Sequence, residues 1–315
     1  MQALREAAEK ALAAPSIFNT QPWRWQISDG TLRLWADRER QLMVADPEGR
    51  LLTISCGVAL HHARVALAAA GHLSTVRRLP DLGDPDLLAE VRVTERHTPT
   101  DSEVRLKEAI RLRRTDRRAF SNGVPVEAVP ALVNAAESQR AHLRLIRPGE
   151  VWTLALAATR ADALQLANGD YRRELIRWTH RPQCSDDGVP VATAVQRIPR
   201  AVPVRDVAPF GQPAMPAGPY NDAGAQYAVF FTDEDGALAW IQAGEALSAV
   251  LLSATSLGLG TAPVSDVTEL AVTREKLRRL LANIGVPQLA VRIGQAPHGM
   301  PPPVPRRRPD EVIYP

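Results

Sequence analysis

Residues 14–23 read Ala-Pro-Ser-Ile-Phe-Asn-Thr-Gln-Pro-Trp, a polar loop between a predicted helix and a predicted strand. The helix covers residues 2–13, where apolar positions recur at helical spacing, and it ends near Pro15 because the residue before a proline avoids the α region. Alternating strands at 23–27 and 32–35, joined by a glycine turn, predict a β-hairpin. The loop therefore gathers many hydrogen-bonding side chains at one helix-to-strand junction.

Two arginine clusters lie far from this loop in the sequence. Residues 113–118 read Arg-Arg-Thr-Asp-Arg-Arg at the end of a predicted helix, and residues 306–308 read Arg-Arg-Arg in a proline-rich tail that we expect to be an extended arm. Arginines with a hydroxyl between them suit a phosphate group, because guanidinium groups bind its oxygens in pairs. Taken singly, each cluster favours a solvated face or helix end. Two clusters in a nearly neutral chain favour an anion site without deciding it.

Composition bounds the class of protein. The chain has 315 residues, 45% hydrophobic and 23% charged, which predicts one large globular domain or two ordinary ones. A net charge of +3 argues against a protein that coats nucleic acid. Cys56 and Cys184 are too few for a disulfide framework, which favours a reducing compartment. No leader is visible, and the apolar stretch 240–264 contains Gln242 and Glu245, so we expect a cytoplasmic protein with a buried helix there rather than a membrane span.

The remaining pattern is α+β, with dominant helices, short strands and no regular βαβ alternation. Predicted helices cover residues 57–70, 102–112, 126–136, 150–180, 238–257 and 273–281, and predicted strands cover residues 88–94, 142–146, 225–232 and 287–293. Residues 181–224 are rich in proline and glycine and have no clean period. A loop of this length is typical of a lid or wrapping arm, and a mobile surface insertion is an equally weighted alternative.

Several common motifs are absent. The chain has no Walker-type phosphate loop, no HExxH and no GxSxG. Gly258-Leu259-Gly260 lies at a predicted helix end and lacks a third glycine, so we interpret it as a helix stop rather than a dinucleotide site. His61 and His62 are adjacent on a helix and point about 100° apart, which favours packing roles over a shared metal. The sequence therefore predicts no metal site and no side-chain nucleophile.

Five segments, in this order, resemble the nitroreductase family. They are the loop at 14–23, the arginine entry Arg113-Arg114-Thr115-Asp116-Arg117, the helix and loop Ala243 to Ser265, the strand segments Pro287-Gln288-Leu289 and Arg292-Ile293-Gly294, and the terminal Pro305-Arg306-Arg307. Any one of them is weak, but five in order are specific. The likeness covers most of the chain outside 181–224.

The order of the segments indicates two fused halves. In ordinary nitroreductases the arginine entry precedes the loop, and two identical chains build two flavin sites across their interface. Here the loop comes first, and Ser55-Cys56-Gly57-Val58-Ala59-Leu60 is similar to a worn copy of Ala243-Gly244-Glu245-Ala246-Leu247. The chain thus resembles the Acg-type branch, a degenerate pseudo-dimer with halves at 1–100 and 101–315, a lid at 181–224 and one complete site. We expect a monomer and leave a further homodimer open.

The resemblance implies FMN and a set of residues that hold it. Its phosphate would be held by Thr115, Arg117, Arg306 and Arg307 together with Arg113, Arg114 or both. The loop would contact the ring or ribityl chain through Pro15, Ser16, Asn19, Gln21, Pro22 and Trp23, and the backbone near Pro263, Val264 and Ser265 would lie beside the ring. No metal and no catalytic side chain is implied, because the chemistry belongs to the flavin.

The implied function is that of an NAD(P)H-dependent oxidoreductase. Hydride would pass through FMN N5 to a small-molecule acceptor such as a nitro compound or a quinone, with no nucleic-acid or membrane partner. The alternative is an FMN-sequestering protein whose lid excludes nicotinamide. A third possibility is flavin chemistry other than nitro reduction. The sequence leaves the choice between turnover and sequestration open.

Overall fold

The computed structural model describes residues 1–182, 184–207 and 213–315. Their α-helices are α1 (Gln2–Ala11), α2 (Arg50–Ala69), α3 (Asp101–Leu112), α4 (Val129–Glu137), α5 (Val151–Ala167), α6 (Gly169–Thr179), α7 (Ala237–Ser256), α8 (Asp266–Glu269), α9 (Ala271–Leu280) and α10 (Pro309–Val312). Their strands are β1 (Trp23–Ser28), β2 (Thr31–Ala36), β3 (His72–Arg78), β4 (Leu87–Arg96), β5 (His142–Leu145), β6 (Gln226–Thr232), β7 (Gly260–Val264), β8 (Val286–Gly294) and β9 (Ile313–Tyr314). The predicted α+β class is confirmed.

The strands form two sheets, the first mainly from residues 23–96 and the second from residues 142–294. The first sheet has the order β3-β4-β2-β1-β9, and its hairpin β1–β2 matches the prediction. The hairpin turns at Asp29 and Gly30, which both have positive φ as a tight two-residue turn requires. The last strand, β9, crosses over from the C-terminal tail and pairs parallel to β1. The second sheet has the order β5-β6-β8-β7 and is antiparallel throughout.

Two long apolar helices, α2 and α7, pack against each other between these sheets. Each has the length and apolar composition to cross a membrane, but most of each lies buried inside the protein, as in a core helix. Helix α2 packs on β2, β3 and β4, whereas α7 packs on β6, β7 and β8. The predicted buried helix in the stretch 240–264 is confirmed.

The contacts between α2 and α7 are reciprocal. A Cβ on Gly57 would collide with the backbone oxygen of Ile241, and a Cβ on Gly244 would collide with the backbone oxygen of Ile54. Gly57 and Gly244 lie 187 residues apart in the sequence, and so do His61 and Ser248. A 2.8 Å hydrogen bond joins the side chains of His61 and Ser248 across the two helices. In a two-fold interface, every contact between the two units occurs twice, the second time with the roles of the two units exchanged. The helix pair therefore has the geometry of a dimer interface within one chain.

Two helix predictions are wrong. Residues 150–180 form two helices, because the side chain of Asn168 accepts the backbone N–H groups of Asp170 and Tyr171 and starts α6 afresh. Helix α2 begins seven residues earlier than predicted. The carboxylate of Asp46 accepts the backbone N–H groups of Leu51 and Leu52 at 3.0 and 2.8 Å, which caps this end of the helix.

The stretch 181–224 is an anchored arm in the parts that the structure describes. An isolated β-bridge joins Val195 and Met215 within the arm, and the backbone carbonyl of Ala217 accepts a hydrogen bond from the N–H of Ala119 at 2.8 Å. A buried ion pair joins Arg200 to Asp222 at 2.8 Å. These contacts favour the wrapping-arm interpretation over a mobile insertion.

Candidate functional site

A two-part cleft lies where the loop 14–21, the start of α2, the residues after α3 and the β7–α8 junction meet. We call its parts the inner half and the outer half, and each encloses about 970 Å³, open mouth included. Five residues line both halves: Pro15, Ser16, Phe18, Thr115 and Arg117. The two halves thus form one elongated groove.

The arginine entry reaches this groove because backbone contacts join it to β7. The backbone N–H of Asp116 donates to the carbonyl of Thr261 at 2.9 Å, and Thr115 bridges the same residue. The predicted arginine cluster therefore lies beside the predicted loop after Pro263. Residues separated by about 150 positions in the sequence share one wall.

The outer half is basic. The described residues that line it include five arginines and no acidic residue; the arginines are Arg111, Arg113, Arg114, Arg117 and Arg306. Arg306 is fixed by hydrogen bonds to the side chain of Asn19 and the carbonyl of Ala13. Such a surface has a strong positive potential, which favours an anion.

Arg113 is the most telling member of this group. Its residue is only 4% exposed, and its Nε and Nη1 atoms have no hydrogen-bond partner among the described residues. The pKa of Arg113 is lowered to about 9, mainly by burial and also by the neighbouring charges of Arg306 and Arg114. A buried cation without a counter-ion is costly, so the site is built for an anionic ligand that supplies the missing acceptors.

The inner half has a different character. Leu51, Ile54, Val58, Leu247 and Leu289 give it apolar walls. Polar groups enter from Ser16, Ser265, Arg117 and Arg292. Such a pocket suits a planar, largely apolar ring with polar groups at its edge.

The loop 14–21 is held in an unusual backbone conformation. Phe18, Asn19 and Gln21 have φ values of 44°, 55° and 49°, in the left-handed region that non-glycine residues seldom adopt. The hydroxyl of Ser16 accepts the N–H of Gln21 at 2.8 Å, and Ser55 on α2 accepts the N–H of Ile17 at 3.2 Å. Strain of this kind persists where surrounding contacts enforce it and is common at binding sites.

The side chains of Asn19 and Gln21 mainly hold the loop to other segments by hydrogen bonds. The amide nitrogen of Asn19 donates to the carbonyls of Gly188 and Pro305, both at 3.0 Å. The amide of Gln21 donates to Asp186 at 2.9 Å and accepts from the backbone of Arg307 at 2.9 Å. Their hydrogen-bonding groups join the loop to the arm and the tail. The implied contacts of these two amides with a ring or ribityl chain stay a prediction.

Three other residues that were expected to contact the cofactor lie outside the lining of the cleft. Pro22, Trp23 and Arg307 are absent from the described residues that line either half of the cleft. Trp23 is fully buried at the start of β1, because the hairpin needs an inward apolar side chain there. Arg307 forms an ion pair with Asp37 at 3.3 Å and so anchors the tail. Gln21 also lines neither half, whereas the remaining expected residues, including Asn19, line the cleft.

Sequence patterns gave no indication of the arm's contribution to the inner half. Val204, Arg205 and Val207 line it. Arg205 donates to Glu269 at 2.7 Å, and its guanidinium carbon lies 5.0 Å from the ring centre of Phe18. An irregular segment has no period that shows which side chain faces inward. The walls on α2 were missed for another reason, since the helix was predicted to begin after Leu51 and Ile54.

The counterpart of the inner half in the other part of the chain is filled. By the same separation of 187 residues, Val58 corresponds to Glu245 and Ser265 corresponds to Arg78. Glu245 is fully buried and accepts hydrogen bonds from Arg64 at 2.7 Å and from Arg78 at 2.6 and 2.9 Å. An ion cluster thus replaces an apolar wall and a hydroxyl.

Loss of the charge at Glu245 should destabilise the protein. We expect Glu245→Gln to lower the free energy of unfolding by at least about 2 kcal/mol, because two arginines lose their buried anion. The matched control is Glu275→Gln, whose pair with Arg279 lies on the surface and should matter by less than about 1 kcal/mol. Urea unfolding of both variants checks the difference, and equal midpoints would contradict it.

The relatives of the chain decide its family. It is 38% identical over 320 residues to "Putative NAD(P)H nitroreductase Rv3131" of Mycobacterium tuberculosis, covering 99% of this chain and 91% of that protein. It is 33% identical over 321 residues to "Putative NAD(P)H nitroreductase acg" of the same organism, covering 99% and 95%. The chain belongs to the nitroreductase family. A scan against family models found none that matches.

Solved nitroreductases are more distant from this family member. An FMN-bound nitroreductase from Desulfitobacterium hafniense is 18% identical with a TM-score of 0.41, covering 67% of this chain and 97% of that one. An FMN-bound nitroreductase from Bacteroides fragilis is 15% identical with a TM-score of 0.38, covering 62% and 90%. These similarities are too low to identify the fold by themselves. The two relatives from Mycobacterium tuberculosis establish that the chain belongs to the nitroreductase family.

Proposed function

We propose that this nitroreductase-family chain binds one FMN in the cleft, with the phosphate in the outer half and the ring in the inner half. The observation that carries the proposal is Arg113, a buried guanidinium that lies among other arginines and has two nitrogens without a hydrogen-bond partner in the described part of the chain. A phosphate supplies several acceptor oxygens and two negative charges to such a group. The apolar inner half lies at the other end of the same groove, as a flavin requires.

The residues divide their tasks along the groove. Arg113, Arg114, Thr115 and Arg306 would hold the phosphate, whereas Ser16 and the segment from Pro263 to Ser265 would contact the ring. When bound, FMN supplies hydride transfer between a nicotinamide donor and an acceptor. The chain itself binds, orients and shields. Val204 and Val207 of the arm exclude water from the inner half.

The reaction that we propose is NAD(P)H-dependent reduction of a small nitro compound or quinone in the cytoplasm. Two curated relatives are named for NAD(P)H nitroreductase activity, and two structural neighbours are described with bound FMN. We further propose that the halves 1–100 and 101–315 are a fused pseudo-dimer that works as a monomer. The reciprocal contacts of Gly57 and Gly244 support the fusion.

An anaerobic absorbance spectrum tests the proposed activity. Protein loaded with FMN should bleach near 450 nm on addition of NADPH or NADH and recover when a quinone is added. Protein that takes up no FMN would contradict the cofactor. Protein that holds FMN and bleaches with dithionite but with neither nicotinamide would contradict the reductase.

The arm favours a second candidate function, FMN sequestration. Arg205 is held by a buried carboxylate, and its neighbours cover the inner half, where a nicotinamide would have to stack. A cover fixed in this way could retain FMN without turnover. The same contacts also suit an arm that shields a working flavin from water.

Release of the arm distinguishes the two functions. If the arm blocks nicotinamide, Arg205→Ala should speed NADPH bleaching at least tenfold, because the link to Glu269 is lost. Arg197→Ala is the control, since Arg197 lies on the same arm but is mostly exposed. Rapid bleaching of the unmodified protein, unchanged by Arg205→Ala, would contradict sequestration.

A further inference from the structure

Two buried carboxyl groups share one guanidinium at the end of the inner half. Asp266 and Glu269 lie one turn apart on α8, and Arg205 reaches them from the arm. Asp266 is 4% exposed and lines the cleft next to Ser265, whereas the side chain of Glu269 has no exposed surface. Two negative charges with one positive charge in a dry site favour retention of a proton by one carboxyl group.

The hydrogen bonds distinguish the two carboxyl groups. Glu269 accepts from Arg205 at 2.7 Å, from Ser265 at 2.8 Å and from Gln165 at 2.6 Å. Donors of this number stabilise the charged form. The side chain of Asp266 accepts only from the backbone of Val267, at 3.0 Å, among the described residues. Few donors therefore compensate a charge on Asp266, and burial favours its protonated form.

The surroundings of Asp266 agree with this assignment. The pKa of Asp266 is raised to about 6, mainly by burial. The charges of Glu269 and of Asp162 on α5 contribute to the rise, whereas Arg205 and the backbone N–H of Val267 oppose it. The hydroxyl of Tyr171 on α6, buried and without a partner among the described residues, interacts with the same group. A carboxyl group in this range can both release and regain a proton near neutral pH.

We propose that Asp266 is a catalytic residue, the acid that delivers a proton to the acceptor in the inner half. The inference rests on the proposed function. Reduction of a quinone to a quinol adds one hydride and one proton, and reduction of a nitro group to a nitroso group adds one hydride and one proton and releases water. The hydride comes from NAD(P)H by way of the cofactor. The proton comes from Asp266, which regains it from solvent, so atoms and electrons balance.

The step is measured apart from nicotinamide. FMN-loaded protein is reduced with one equivalent of dithionite and mixed anaerobically with a quinone in a stopped-flow instrument between pH 5 and 8. In the unmodified protein the rate of reoxidation should fall as the pH rises above about 6, because the proton is lost from Asp266. Asp266→Asn should be at least tenfold slower with a flat pH profile, since general acids contribute about 10²- to 10⁴-fold.

Two controls separate chemistry from structure. Asp266→Glu restores a titratable group and should recover part of the rate and the pH dependence. Asp162→Asn removes a carboxylate that faces the same cluster and should leave the rate within twofold. FMN affinity, measured by fluorescence titration, should stay within threefold in all three variants.

The outcomes are distinct. A slow, pH-independent Asp266→Asn variant with normal FMN affinity supports the proposal. An Asp266→Asn variant that matches the unmodified protein in rate and pH profile overturns it while the proposed function stands. A protein that takes up no FMN, or whose reduced flavin no quinone reoxidises, overturns the acid and the proposed function together.

Discussion

Replacement of Arg113 by methionine is expected to weaken FMN binding by about 1.5–3 kcal/mol, or roughly 10- to 150-fold. Two nitrogens of the buried guanidinium have no partner among the residues that the structure describes, so a phosphate would gain charge-assisted hydrogen bonds there. Methionine keeps much of the apolar stem and removes the guanidinium, with both its charge and its hydrogen-bond donors. Fluorescence titration of FMN measures the change.

The same variant should behave differently without FMN. The pKa of Arg113 is lowered by burial and by repulsion from Arg306 and Arg114, so its charge is unfavourable in the cofactor-free protein. We expect Arg113→Met to unfold at an equal or higher temperature when FMN is absent. The control is Arg111→Met, which removes an exposed arginine of the outer half and should change the Kd less than threefold. Equal Kd values for both variants would contradict the phosphate site.

Introduction of a methyl group at Gly57 or Gly244 is expected to destabilise the protein by about 3 kcal/mol. In each position the new Cβ would collide with a backbone carbonyl of the facing helix, which has no rotamer by which to move aside. The two helices must then separate, and packing of the surrounding core is lost. Denaturant unfolding of Gly57→Ala and Gly244→Ala measures the effect.

The two substitutions should also be coupled. Both push apart the same pair of helices, so the double variant should cost clearly less than the sum of the single variants. Gly149→Ala is the control, because a Cβ there meets nothing within 4 Å. Additive losses, or a loss at only one of the two glycines, would show that the crossing is not reciprocal.

Much of the fold follows from local signals in the sequence. The hairpin at β1 and β2 was predictable because alternation and a glycine turn specify it without distant contacts. The end of α7 was predictable because Gly258 adopts the positive φ that stops a helix. Neither the break at Asn168 nor the early start of α2 was found. Both depend on one polar side chain that caps backbone N–H groups, a signal that is weak beside a long apolar run.

The charged residues of the candidate site were the easiest to predict from the sequence. Arginines at 113–117 and 306 stand out in the sequence, and the structure brings them into one half of a cleft. Asn19 and Gln21 resemble ligand contacts in the sequence, yet the nearby arm and tail take their hydrogen bonds. Asp266 and Arg205 had no sequence signal. Both residues stand out because they are buried among neighbouring charges, and only the folded chain brings those charges together.

We propose that one chain holds one FMN by its phosphate in the cleft. Titration of the cofactor-free protein with FMN and, in parallel, with riboflavin tests this binding mode. We expect one FMN per chain and riboflavin binding at least 100-fold weaker, because riboflavin leaves Arg113 without an anion. Two FMN per chain, no binding, or equal affinity for FMN and riboflavin would contradict it.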